Sequence, residues 1–196
     1  MSGAARVVLA SSSPRRRELL ERLGLTFRIA SPDIDETPLP GESPIAYVTR
    51  LAVEKAHAVA AADDELVIAA DTTVEADGLI LAKPNEAADA HAAAVAMLRR
   101  LSGRTHATHT GVAVRLGDRT EHEVVTTEVT FVTLSDADIE WYIATGEPLD
   151  KAGAYAVQGA GGVFVERIDG SVSNVVGLPL HTVARLAAGL GVSLTR

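Results

Sequence analysis

Short apolar runs along this chain alternate with stretches in which apolar residues recur every three or four positions, the two rhythms of buried strand and amphipathic helix. A strand is predicted over 6–9. The turn at Ser13-Pro14 then starts a helix to about residue 23, with Leu19, Leu20 and Leu23 as its stripe and Gly24 as its stop. A second short strand is predicted over 26–30, followed by a proline-bounded acidic loop over 31–41. Ser43 caps, and Pro44 begins, a helix to about residue 62. The apolar strand 66–74 is interrupted by Asp71, and Asp77-Gly78 turns it into an antiparallel strand over 79–82. A helix over 86–101 directs Ala87, Ala90, Ala94, Met97, Leu98 and Leu101 inward.

Two long strands, 106–116 and 122–131, are joined through Gly117-Asp118. Ser135 caps a helix to residue 144 that carries Trp141 and Tyr142 and is closed by Gly146. A glycine-rich connection over 153–162 leads to a strand over 163–168, and the last helix follows Pro179 with Val183, Leu186 and Leu190. Hairpins interspersed with helices, without an internal repeat, predict an α/β domain with a mixed sheet rather than a run of βαβ units.

Composition narrows the function. The 196 residues suffice for one packed domain or two small lobes sharing a core. Eighteen basic against 26 acidic residues give a net charge of -8, which argues against a broad nucleic-acid-binding face, and 4% aromatic content offers no stacking platform. The absence of cysteine removes disulfides and thiolate metal sites. No charge-free apolar stretch reaches about 18 residues and no secretory h-region is visible, so a cytoplasmic protein without membrane contact is expected.

Against that acidic background, Ser11-Ser12-Ser13-Pro14-Arg15-Arg16-Arg17 places hydroxyls and fixed positive charge where a strand gives way to a helix start, a junction suited to an anion. Asp71, at the end of a buried-looking strand, needs a hydrogen-bonding, cationic or metal partner; a structural ion pair would equally satisfy it. Asp33, Asp35 and Glu36 form a solvated loop, or lend one carboxylate to a hard metal shared with Asp71. Lys55 follows Leu51 by four positions and Val48 by seven, so it lies on or beside the apolar stripe, where it either snorkels or meets an anion in a polar cleft. Lys83 sits beside Pro84 at the end of the hairpin, where a constrained backbone can aim a side chain, although a lone lysine there is more often an ordinary surface charge. Together Arg15, Lys55 and Lys83 could clamp a polyphosphate, with Mg²⁺ on Asp71 and an adjacent carboxylate. No Walker loop, dinucleotide fingerprint or G-x-S-x-G is present, and Gly159, Gly161 and Gly162 suit a tight turn or a close backbone approach. His106 and His109 fall on opposite strand faces and make a poor zinc pair.

The ordered set Leu9-Ala10-Ser11-Ser12-Ser13-Pro14-Arg15-Arg16-Arg17-Glu18-Leu19-Leu20, Asp33-Ile34-Asp35-Glu36, Arg50-Leu51-Ala52-Val53-Glu54-Lys55-Ala56, Ala70-Asp71-Thr72, Lys83-Pro84, Leu101-Ser102-Gly103, the run from Thr145-Gly146-Glu147-Pro148 to Gln158-Gly159, and Asn174-Val175-Val176-Gly177-Leu178-Pro179-Leu180 resembles the Maf family of nucleotide pyrophosphatases over nearly the whole chain. The resemblance implies a two-lobed single domain over 1–196, similar in fold to inosine triphosphate pyrophosphatase, with a mixed twisted sheet and the nucleotide in a cleft between the lobes. It implies divalent-metal-dependent (Mg²⁺ or Mn²⁺) hydrolysis of a nucleoside triphosphate to monophosphate and pyrophosphate by a cytoplasmic homodimer. Asp71 would act as the general base, Glu36 as its partner in the metal and water network, and Ser11, Arg15, Lys55 and Lys83 on phosphate. Arg16 and Arg17 are then expected to be helix-surface charges.

Arg15, Thr72 and Gln158 match positions associated with dTTP and UTP in one branch, which the segment 151–158 also resembles rather than the 7-methyl-GTP branch. Gln158 could read a base edge through its paired donor and acceptor, or satisfy its own glycine-rich loop. Ser171-Val172-Ser173-Asn174 departs from some members of that branch and leaves room for wider pyrimidine specificity. The alternative function is a nucleotide-binding regulator of septum formation or cell shape without significant catalysis.

Overall fold

The computed structural model describes residues 6–195. Its strands are β1 (Arg6–Ala10), β2 (Phe27–Ile29), β3 (Glu65–Ala76), β4 (Leu79–Leu81), β5 (Thr105–Leu116), β6 (Arg119–Phe131) and β7 (Val165–Asp169). Its α-helices are α1 (Pro14–Glu21), α2 (Pro44–Ala58), α3 (Ala90–Leu101), α4 (Asp136–Ala144), α5 (Val172–Val176) and α6 (Leu180–Gly189). The strands hydrogen-bond in the order β2-β1-β3-β5-β6-β7, with β4 paired to β3 off that path. β1 runs parallel to both β2 and β3, so that Val8 lies opposite Arg28 and Val67. The β3–β4 and β6–β7 pairs are antiparallel. The sheet is therefore mixed, as the interspersed hairpins and helices predict. The central parallel strands read as continuous apolar runs because they are covered on both faces.

The chain packs as two compact units. One contains the residues up to Asp71, Thr110–Val125 and the residues from Gly177 on; the other contains Thr72–His109 and Thr126–Val176. In the first unit, Val8, Ala10, Val67, Ala69 and Ala113 from the strands meet Ala52, Ala56 and Val59 from α2 and its end. Small residues here let the helix lie close on the sheet. At Gly111 of β5 there is no room even for a methyl group, since a Cβ would overlap the Val48 carbonyl of α2. The second unit is built on Val74, Leu98, Leu101, Val129, Ile139 and the aromatic residues Phe131, Tyr142, Tyr155 and Phe164. Phe131 and Tyr155 meet edge-on at 4.8 Å and Tyr142 and Phe164 at 5.2 Å, a favoured geometry for aromatic rings. Ser135 and Asp138 form the reciprocal capping box that starts α4.

Several element ends differ from the sequence expectation, each for a local reason. α2 stops at Ala58 rather than near residue 62 because Arg115 takes its terminal carbonyls, donating to Ala56 O at 2.9 Å and Val59 O at 3.0 Å. The helix expected from residue 86 begins at Ala90, where the Asp89 carboxylate accepts from Ala92 N–H at 2.9 Å. Residues Pro84–Glu86 form a separate 3₁₀ turn, and Ala87 is exposed instead of facing inward. β7 begins at Val165, leaving Val163 exposed in a preceding turn. The short α5 has no apolar period to announce it, and the Ser171 hydroxyl accepts from Asn174 N–H at its start.

Candidate functional site

β1 delivers the chain to Ser11, which is buried, and whose Oγ accepts from Ser13 N–H at 3.1 Å. That bond holds the turn from which Pro14 launches α1, while the Ser13 side chain makes no cap bond itself. Arg15 is half-buried. Arg17 is exposed and pairs with Glu21 at 2.7 Å, an ordinary i,i+4 surface pair as expected. Arg16 is not the surface charge that the sequence suggested. Its Nε donates to Gly177 O at 2.7 Å and its Nη1 reaches Ser11 Oγ at 3.4 Å. Burial lowers its guanidinium pKa from the ordinary value, and Arg15 adds to that, whereas the carboxylates of Asp71 and Glu36 act in the opposite direction. The signal was present in the spacing. Arg16 precedes the buried Leu19 and Leu20 by three and four positions and so shares their helix face.

Lys55 lies on the buried face of α2 with Val48, Leu51, Ala52 and Ala56, and it does not snorkel. Its Nζ donates to Asp71 Oδ1 at 2.7 Å and sits 2.8 Å from Glu36 Oε1. Asp71, buried in β3, thus has the cationic partner its position demands. The acidic loop is fixed from α2. The Tyr47 hydroxyl donates to Glu36 O at 3.0 Å, and Arg50 donates to both Glu42 oxygens, at 2.7 and 2.8 Å, and to Thr37 O at 3.2 Å. The Arg50 hydrogen bonds hold the Glu42 carboxyl down at about 2. Asp33 is exposed, and Asp35 accepts from Thr37 N–H at 2.9 Å, so Glu36 is the loop acid in contact with Lys55.

The other expected site residues belong to the second unit. Thr72 is half-buried, next in sequence to Asp71. Lys83 is exposed before the turn that Pro84 begins, and its Nζ lies 3.1 Å from Glu86 Oε1. Gln158 is exposed in the glycine-rich connection. There the glycines serve close approach, because a Cβ at Gly159 would overlap the Glu147 carboxylate and one at Gly161 would crowd the Tyr142 hydroxyl. His106 and His109 engage different partners, Tyr155 at 2.9 Å and Thr126 at 2.8 Å, consistent with opposite strand faces.

Among the described residues, no group of three or more His, Cys, Asp and Glu side chains gathers to hold a metal. Two carboxylates on one ammonium nevertheless fit the donor set of a hard divalent cation, which needs one or two protein carboxylates when phosphate oxygens and water complete its shell. The first unit therefore combines a buried carboxylate, a second carboxylate, a buried ammonium and a hydroxyl–guanidinium pair. Such groups can attract a polyanion and hydrogen-bond a water.

Comparison with known proteins places the chain in a family. The family described as Maf-like protein matches residues 6–190. A dTTP/UTP pyrophosphatase of Anaeromyxobacter dehalogenans is 55% identical over 196 residues, covering 97% of this chain and 97% of that protein. A protein of the same name from Myxococcus xanthus is 56% identical over 187 residues, covering 94% and 93%. Another, from Chromobacterium violaceum, is 51% identical over 195 residues, covering 96% of each.

Proposed function

The chain belongs to the Maf-like protein family, and from that premise we propose that it hydrolyses dTTP and UTP at the α–β anhydride bond, releasing the nucleoside monophosphate and pyrophosphate. One observation carries the reading. Asp71 and Glu36 converge on Lys55 Nζ, within electrostatic reach of the Arg16 guanidinium that lines the Ser11 turn. Water adds across the anhydride bond. Asp71 accepts the water proton, and the electron pair of the broken bond leaves with pyrophosphate. Lys55 keeps the two carboxylates together, and with Arg15 and Arg16 of the same unit it offsets the negative charge of the triphosphate. For Lys83, a role on phosphate is what the resemblance to the family implies. Asp71 and Glu36 would hold Mg²⁺ or Mn²⁺, which when bound neutralises phosphate charge and lowers the pKa of attacking water. Arg15, Thr72 and Gln158 select the base, an assignment supported by their match to the dTTP/UTP branch.

The same reading takes the chain as one domain, which the family model spans from residue 6 to 190, and as a cytoplasmic homodimer, as the resemblance to the family implies. Light scattering on the purified protein tests the dimer. The non-catalytic regulator gains no support from the relatives. The deciding experiment is a steady-state panel of dTTP, UTP, CTP and 7-methyl-GTP with product analysis. Pyrophosphate released preferentially from dTTP and UTP is expected. A strong preference for 7-methyl-GTP overturns the branch assignment, and orthophosphate as the sole inorganic product overturns the cleavage site.

A further inference from the structure

The loop that carries Gln158 is held by two side chains to which the hydrolysis assigns no role. Glu147 follows Gly146, whose φ of 74° is left-handed, and opens the 3₁₀ turn Glu147–Asp150. Its Oε1 accepts from the Tyr142 hydroxyl at 2.7 Å and from Gly161 N–H at 3.1 Å, and its Oε2 accepts from Ala160 N–H at 2.9 Å. The Tyr142 hydroxyl in turn accepts from Ala156 N–H at 3.1 Å. Gln158 therefore lies between two backbone anchors, Ala156 on one side and Ala160 with Gly161 on the other, while its own side chain stays exposed. A carboxylate suits this place because it offers only acceptors to groups that all donate. A glutamine would turn its NH₂ toward one of those donors.

We propose that Glu147 is a positioning residue for base selection: it fixes the loop that presents Gln158, and so the orientation in which that amide meets the base. The proposal rests on the assignment of Gln158 to the base made above. Thymine and uracil share an edge with an N3–H donor beside the O4 acceptor, whereas cytosine offers an N3 acceptor beside an amino donor. A well-oriented amide can favour the first pattern by pairing its oxygen with N3–H and its NH₂ with O4. A loosened loop lets the amide turn over and accept either edge, so discrimination falls before hydrolysis does.

The test compares wild type with Glu147→Gln, Ala160→Pro, Gln158→Ala and the double variant Glu147→Gln/Gln158→Ala, reading kcat and KM for dTTP and CTP together with thermal melts. Ala160 is the first residue of its 3₁₀ turn, where proline keeps the turn and removes one donor to Glu147. Glu147→Gln is expected to lower the dTTP-to-CTP ratio of kcat/KM by about tenfold, chiefly by raising KM for dTTP. Ala160→Pro moves the ratio in the same direction, and the double variant falls no lower than Gln158→Ala alone. A folded Glu147→Gln enzyme with an unchanged ratio overturns the positioning role, as do losses that add in the double variant. If Glu147→Gln fails to fold, Ala160→Pro decides the same question. An unchanged ratio in Gln158→Ala overturns the assignment of Gln158 itself, a failure visible in that variant without reference to Glu147.

Discussion

Lys55 Nζ lies 2.7 Å from Asp71 Oδ1, joining α2 to β3 through two buried side chains 16 residues apart. The ammonium lets a carboxylate stay within a strand that is otherwise apolar, and it draws Glu36 to the same point. Lys55→Met leaves two carboxylates facing each other without their counter-charge. Breaking a buried pair costs about 3–5 kcal/mol, and less is expected here because the Glu36 side chain is 44% exposed. The melting temperature should fall by several degrees, and kcat/KM for dTTP by roughly 100-fold or more. Near-wild-type turnover in this variant would remove Lys55 from the site.

Asp71→Asn separates charge from shape. The amide can still accept a hydrogen bond from Lys55 but is a very poor base, so kcat should drop about 10²- to 10⁴-fold while dTTP binding, read by calorimetry, persists. Turnover at the wild-type rate would show that another group takes the proton.

Arg16 and Arg17 are neighbours in sequence with opposite surroundings. Arg16→Met removes charged hydrogen bonds to Gly177 O and Ser11 Oγ, contacts of a kind worth about 1.5–3 kcal/mol. Stability should fall within that range, and kcat/KM should drop at least tenfold as the Ser11 turn loses its guanidinium. Arg17→Ala breaks only an exposed pair with Glu21 and should leave both quantities unchanged. Equal effects in the two variants would contradict the geometry.

The contrast also marks how far residue pattern alone reaches. Strand and helix periods located β1, β3, α2 and α4, and the isolated acid in an apolar strand exposed Asp71, because burial and charge are both written locally. The role of Lys55 was ambiguous from the stripe alone, since a snorkelling lysine has the same spacing. Its partner Glu36 arrives on a loop held by Tyr47 and Arg50, contacts that no local period encodes. The resemblance singles out Arg15 and leaves Arg16 as a surface charge, whereas the spacing of Arg16 to Leu19 and Leu20 places it on the buried face. The end of α2 departs from the local pattern for a different reason. Arg115, which takes its last carbonyls, lies 59 residues from Ala56.

Gly111 offers a test of packing independent of the chemistry. Because a Cβ there would strike backbone rather than a movable side chain, Gly111→Ala must push α2 away from β5. Overpacking of this kind costs about 1–3 kcal/mol, and a backbone obstacle puts it at the upper end. Urea unfolding should show a lower midpoint with an unchanged slope. A midpoint equal to wild type would mean that the helix does not approach the strand so closely.

His106 sets a pH dependence whose sign can be worked out in advance. It is buried, bonded through Nε2 to the Tyr155 hydroxyl, and packed edge-on against Phe131 and Tyr155. Burial pushes its pKa down from 6.5 to about 4. Between those values the unfolded chain binds a proton that the folded chain refuses, so folding stability rises with pH across the window and is flat above it. The full difference is about 3 kcal/mol. Glu42 and Glu65, held at about 2 by Arg50 and Arg28, act lower: their contribution is present well above 4.5 and is lost progressively as pH falls through 4.5 toward 2. Urea unfolding at pH 7 and about pH 5.5, above the range in which these carboxylates titrate, therefore isolates the histidine. His106→Gln, which keeps a polar partner for Tyr155, should lose most of the wild-type decline between the two. Parallel declines in both proteins would place the titrating group elsewhere.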